Sequence, residues 1–170
     1  MRRSGVDVGR CLDDGRLIAQ NEKKDAVLTK DILSLIAMEE GAFIDLSCTV
    51  VDPHRLTLRK GAFVGPEGLI DAGGGVEIGE AVRISYRCTI ISLTHHITRS
   101  VWRRGVDGDR LRPVVIERGC WVGANVTIYP GVTVREGCVI NAGSVVAKST
   151  EAHGLYCPPY AVRIKDLEFE

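Results

Sequence analysis

Six branched aliphatic residues, Ile116, Val122, Ile128, Val134, Ile140 and Val146, follow one another at strict six-residue intervals, and no other property of the chain constrains its fold as tightly. The spacing fits neither the 3.6-residue helical period nor the two-residue alternation of a half-buried strand. It predicts one short strand and one corner per repeat, with three repeats closing a triangular coil. Successive coils then stack as parallel strands about 4.7–4.9 Å apart, the aliphatic pointing inward. Cys120, Val126, Val132, Cys138 and Ser144 stand four residues after the first five aliphatics, at an inward position that admits only a small or slim side chain. Gly119, Gly131, Gly137 and Gly143 fall three residues after an aliphatic, where a tight corner favours backbone angles that glycine adopts cheaply.

Followed towards the amino terminus, the inward aliphatics group as Ile44, Val50, Leu58, then Val64, Ile70, Ile78, then Ile84, Ile90, Ile116. The six-residue step fails only from Val50 to Leu58, from Ile70 to Ile78 and from Ile90 to Ile116. Each failure lies between the second and third side of its coil, so the insertions are predicted to stack on one corner. Two small bulges, around Asp52 and around Asp71, should lie under a long polar and basic loop, residues 93–113, that carries Trp102. Asp52, Asp71, His95 and His96 are predicted to share one column, and loops on a rigid scaffold are where chemistry is commonly placed.

The flanks do not repeat. Residues 1–40 read as an amino-terminal cap, in which LTKDILSLIAMEEG predicts a short amphipathic helix with Thr29 as N-cap, Ile32, Leu35 and Ile36 on one face and Gly41 as the stop. A solenoid end needs such a cover for its unpaired edges. The β-helix is expected over 41–152 and a carboxy-terminal segment over 153–170, with Ala161 to Lys165 packing back along the coils. Basic and acidic residues balance at 22 each, which points to neither nucleic acid nor a membrane surface. With no spanning apolar run and no signal-peptide pattern, a cytoplasmic protein without membrane insertion is expected. Of the six cysteines, Cys48, Cys88, Cys120 and Cys138 occupy inward positions and read as core filler, while Cys11 and Cys157 lie outside the repeat.

A histidine beside an acidic side chain at a scaffold edge is suited to general-base work, because imidazole titrates near neutrality. By residue type alone, His95 could equally be solvated or structural. From about Val64 to Lys165, however, the chain resembles the hexapeptide acyltransferases, in particular the branch of galactoside, maltose and related O-acetyltransferases. The resemblance rests on GGGVEIGEAVRIS, on ISLTHHIT opening the long loop, and on VIERGCWVGANVTIYPGVTVREGCVINAGSVVAKS. It implies an all-β, left-handed parallel β-helix and transfer of an acetyl group from acetyl-CoA to a hydroxyl of a sugar, glycan or small molecule by direct attack. His95 matches the family's base, with His96 as the less favoured neighbour, expected on the acceptor side. Trp121 matches a tryptophan that packs on the pantetheine arm, Ala124, Ala142 and Ala147 match positions lining it, and Lys148 and Lys165 match the polar end of the cofactor groove. Asp71 is the expected acceptor-side carboxylate. The resemblance further implies a homotrimer with active sites between subunits.

Two departures stand against the family pattern. Residues 1–40 do not resemble the helical segment that shapes the sugar pocket of the maltose and galactoside enzymes, and Cys157-Pro158-Pro159-Tyr160-Ala161 replaces the usual glycine-containing turn. The sequence leaves open an amine acceptor on the same fold, a non-catalytic β-helix scaffold, and a γ-class carbonic anhydrase, which would need three histidines placed for zinc.

Overall fold

A computed structural model describes residues 26–27, 30–97 and 104–159. Cys11, Arg99, Trp102, Arg103 and the segment from residue 160 onwards, Lys165 included, lie outside them, as does the expected packing of Ala161 to Lys165 along the coils.

The inward aliphatics sort onto three faces of parallel strands. The first face holds Phe43–Ile44, Phe63–Val64, Arg83–Ile84, Trp121–Val122, Val139–Ile140 and Leu155–Tyr156. The second holds Thr49–Val51, Leu69–Asp71, Thr89–Ile91, Thr127–Ile128 and Val145–Val146. The third holds Ala37–Met38, Leu56–Leu58, Val76–Ile78, Val114–Ile116 and Thr133–Val134. The register confirms the predicted coils rung by rung: Ile44 pairs with Val64 and Val64 with Ile84, Val50 with Ile70 and Ile70 with Ile90, Leu58 with Ile78 and Ile78 with Ile116. These aliphatics form one buried column along the axis. Each fully buried leucine or isoleucine rung contributes on the order of 1.5–3 kcal/mol relative to exposure.

The four inward cysteines are buried, as their positions predict, and each thiol donates to a backbone carbonyl: Cys48 to Gly65 at 3.2 Å, Cys88 to Gly123 at 3.1 Å, Cys120 to Arg135 at 3.0 Å and Cys138 to Glu151 at 3.0 Å. Gly119, Gly131, Gly137 and Gly143 turn corners with φ of 69°, 81°, 65° and 75°.

The amino-terminal helix differs from its prediction. It spans only Lys30–Leu33, and Ala37–Met38 is instead a third-face strand parallel to Leu56–Leu58. Ile36 enters the core, and Gly41, at φ 70°, is a corner glycine of the first coil. The strand Leu56–Leu58 would otherwise present unpaired backbone groups, and satisfying them outweighs a weak helical propensity. Ala26–Val27 pairs antiparallel with the second-face strand Thr49–Val51 and covers that edge as well.

The corners have separate characters. Between the third and first faces, Arg59 bridges Glu39 and Glu77 at 2.9 and 2.8 Å, Arg135 meets Glu117 at 2.9 Å, and Arg118 meets Glu136 at 2.8 Å. Between the second and third faces lie all the insertions: a 3-10 turn Pro53–Arg55, the segment 72–75, and a long excursion from Ser92 to Pro113. That excursion is more ordered than the loop the sequence predicts. Leu93–Ile97 and Arg104–Leu111 form an antiparallel hairpin, with Leu93 opposite Leu111, Thr94 opposite Arg110 and His95 opposite Asp109.

Candidate functional site

The insertion corner brings Asp52, Asp71 and the hairpin root together on consecutive coils. Val51 and Asp71 are register partners on the second face, and Asp71 pairs in turn with Ile91, the residue before Ser92. Asp52 bends the first insertion out with φ 52°, and Ala72 N–H donates to Val51 O at 3.0 Å, which seats the second corner on the first. The Asp71 carboxylate accepts the Gly73 N–H at 3.0 Å, and the Arg55 guanidinium donates to the Gly73 carbonyl.

Ser92 joins this corner to the hairpin. It is wholly buried, its N–H and its hydroxyl both donate to Asp71 O, at 3.0 and 2.6 Å, and its Oγ accepts the Gly74 N–H at 2.8 Å. Its own carbonyl accepts the Arg112 N–H from the returning strand at 2.8 Å. The chain then continues as Leu93, Thr94 and His95, so His95 stands on the third residue beyond this node, half-buried, with His96 exposed beside it. Ser92 and the glycines beneath it lie within the GGGVEIGEAVRIS and ISLTHHIT motifs, but the sequence assigns neither a role. The available signal was the run Gly73-Gly74-Gly75, one coil below the place where the long insertion begins.

The expected donor-side residues lie elsewhere on the prism. Trp121 points outward from the first face, 58% exposed, between Arg83 and Val139. Ala124 and Ala142 occupy the corner from the first face to the second, while Ala147 and Lys148 follow Val146 onto the insertion corner, two coils above the hairpin root. In a triangular cross-section the first face lies across from the insertion corner. A single chain therefore gathers Asp71, His95 and His96 but holds Trp121 on the opposite side.

Burial pushes the Cys120 thiol up to about 11 and raises Cys48 and Cys88 as well, so these cysteines stay protonated core residues rather than nucleophiles at neutral pH. Two open hollows of about 330 and 410 Å³ lie on the charged corner, crossed by the Arg118–Glu136 pair, and contain none of the expected site residues. Among the described residues, no three His, Cys, Asp or Glu side chains are grouped to hold a metal ion, and no helix is long and apolar enough to cross a membrane.

Comparison with known proteins accords with this architecture. Residues 113–148 match the family described as the hexapeptide repeat of succinyl-transferase. A putative acetyltransferase of Staphylococcus aureus is 35% identical over 98 residues, covering 58% of this chain and 48% of that protein. The chain spans about half the length of the curated relatives it matches. Among solved structures, a maltose O-acetyltransferase from Clostridium difficile superposes with a TM-score of 0.60 at 19% identity, covering 73% of this chain and 65% of that one. An N-acyltransferase from Bacillus cereus, in complex with dTDP-4-amino-4,6-dideoxyglucose and coenzyme A, gives a TM-score of 0.57 at 15% identity, covering 84% and 91%. These likenesses establish the fold as a left-handed parallel β-helix.

Proposed function

We propose that this left-handed β-helix of six-residue repeats is an acyltransferase using acetyl-CoA as donor and a hydroxyl of a sugar, glycan or other small molecule as acceptor. The observation that carries this reading is the hairpin: the scaffold ejects a histidine-bearing arm directly above the Asp71 corner and nowhere else among the described coils.

In this reading His95 takes the proton from the acceptor hydroxyl as the oxygen attacks the thioester carbonyl. The carbon–sulfur bond then breaks, and the leaving coenzyme A sulfur recovers the proton from the imidazolium, so no acyl-enzyme forms. The burial of the inward cysteines favours this direct route over a covalent one. Asp71 and His96 orient the acceptor. Trp121, Ala124, Ala142, Ala147 and Lys148 line the donor groove, and Lys165 belongs to its phosphate end. Because Trp121 and His95 stand on opposite sides of one prism, the complete site draws on two copies. A homotrimer in the cytoplasm is the assembly we infer.

An amine acceptor is the second reading, favoured by the likeness to the N-acyltransferase bound to an amino sugar nucleotide. The same base and groove would serve it. Calorimetric titration of the purified protein with acetyl-CoA and coenzyme A, beside His95→Ala, tests both. Binding by both proteins is expected, with transfer to a panel of hydroxyl and amine acceptors lost in the variant and the wild type favouring hydroxyls. A folded wild type that binds neither coenzyme would refute the enzyme and leave a scaffold.

A further inference from the structure

We propose that Ser92, seated on Gly74, is the positioning residue that aims His95; the inference rests on the catalytic reading above. Three backbone groups make four hydrogen bonds to this one buried serine: Asp71 O from the coil below receives its N–H and its hydroxyl, Gly74 N–H reaches its Oγ, and Arg112 N–H from the returning strand reaches its carbonyl. The residue thereby joins the acceptor-side carboxylate residue, both legs of the hairpin and the strand that carries the base. The adjacent Gly73 is held in turn by the Asp71 carboxylate and the Arg55 guanidinium.

The glycines make the seat possible. A Cβ on Gly74 would be driven into the Ser92 carbonyl and would stand 2.8 Å from Arg112 N, at the point where the two legs are bonded to each other. A Cβ on Gly73 would stand 2.7 Å from Leu93 Cδ2 and 3.2 Å from both the Asp52 and Asp71 carboxylates. Of the adjacent glycines, only Gly75 is required by a positive φ, at 96°. Gly73 and Gly74 are required by proximity, because the hairpin root lies on the backbone itself.

The leverage is considerable. Three residues of extended chain separate Ser92 from His95, roughly 10 Å at about 3.3 Å per residue. A 10° tilt at the root would carry His95 by about 1.7 Å, and a misplacement of about 1 Å can cost on the order of 10²-fold in rate. Removing the serine hydroxyl takes away two of its four hydrogen bonds, leaving Gly74 N–H without its acceptor and the root held to Asp71 by the backbone alone, and adding a methyl at Gly74 lifts the root. The two changes differ chemically and share one consequence.

The test compares the full chain with Ser92→Ala, Gly74→Ala and Ile44→Val, the last a core change in the first coil far from the hairpin. Acyl transfer, donor KM, thermal melting and hydrogen exchange of the strand Leu93–Ile97 are read for each. The expected result is a fall in kcat of about tenfold or more for both seat variants at unchanged donor KM, faster exchange of that strand, and full kcat in Ile44→Val. Unchanged kcat in the seat variants overturns the proposal, and so does a loss of global folding in either one, which would make the seat a structural element of the coil. If the wild type itself transfers no acyl group, the catalytic reading fails. Exchange then separates the two failures: faster exchange in both variants sustains the seat, and unchanged exchange removes it too.

Discussion

The two corners that bound the third face show how one solenoid can be uniform and specialised in the same turn. Where the third face meets the first, every passage takes the same six residues, from Leu58 to Val64, Ile78 to Ile84, Ile116 to Val122 and Val134 to Ile140. Its exterior carries ion pairs such as Arg59 with Glu39 and Glu77. Where the second face meets the third, the passages lengthen and finally release a hairpin. The difference lies in what the backbone approaches. On the charged corner the backbone approaches only the neighbouring coil: a Cβ on Gly119 would have nothing within 4 Å, whereas one on Gly79 would stand 2.6 Å from the Ile116 carbonyl of the coil above. On the insertion corner it turns against another segment of itself, and Gly74 has no room for a Cβ at all. Constant passage length belongs to the corner that only closes the coil, and inserted chain to the one that carries the candidate site.

The contrast can be broken most sharply by excising the hairpin beyond Thr94 and Arg110, which face each other, and joining them through Asn-Gly, a pair suited to a two-residue hairpin turn. Among the described residues the two hairpin strands pair only with each other, so melting should stay close to wild type. Acyl transfer should fall by about 10²–10⁴-fold, the usual worth of a general base. Melting and turnover measured on the same preparation check both halves. A smaller effect is expected from Gly119→Ala, which meets no neighbour but must keep φ 69°; backbone strain alone should cost on the order of 1 kcal/mol, with turnover unaffected, as denaturant unfolding and an activity assay would establish.

The smallest effect concerns pH. Hydrogen bonds from Arg59, from Ser47 and from Arg118 hold the Glu39, Asp45 and Glu136 carboxyls below the usual carboxylate range. A depressed folded-state value means that the stabilisation is present above the ordinary carboxylate pKa, near 4, and is lost as pH falls through the folded value. The melting temperature should therefore decline on acidification below about pH 5. Glu136→Gln should flatten that decline slightly, and added salt should weaken it, because the pairs are exposed.

The fold was legible because its main signal is a period, and a period fixes register. Once Val50, Ile70 and Ile90 are assigned to equivalent sides, the second face and the alignment of the insertions follow without reference to propensity. The amino-terminal strand Ala37–Met38 was hidden for the opposite reason. Its two residues carry no period of their own, Ile32, Leu35 and Ile36 fit helical spacing, and only the waiting edge at Leu56–Leu58 makes the segment extended. The hairpin was legible as an insertion but not as paired strands, since Thr94-His95-His96 offers no alternation to read. At the candidate site, His95 and Asp71 could be nominated by residue type and position. Ser92 could not, because its importance comes from three partners, two brought to it by the coil below and one by the returning strand of its own hairpin. Separation of Trp121 from His95 likewise follows from the cross-section of the prism and from no local pattern.

The antiparallel strand Ala26–Val27 has a consequence for association. A stack of identical parallel rungs is also a template for fibre growth, since each end offers open backbone groups to another molecule. Among the described residues, the amino-terminal end of two faces is a parallel-running strand, Ala37–Met38 or Phe43–Ile44, whereas that of the second is a strand running the other way. A second molecule stacked coaxially in the same sense could continue two of the three ladders as parallel pairs but would meet the wrong polarity on the third. The same two residues therefore offer a coaxial copy a strand of the wrong polarity on one of its three ladders.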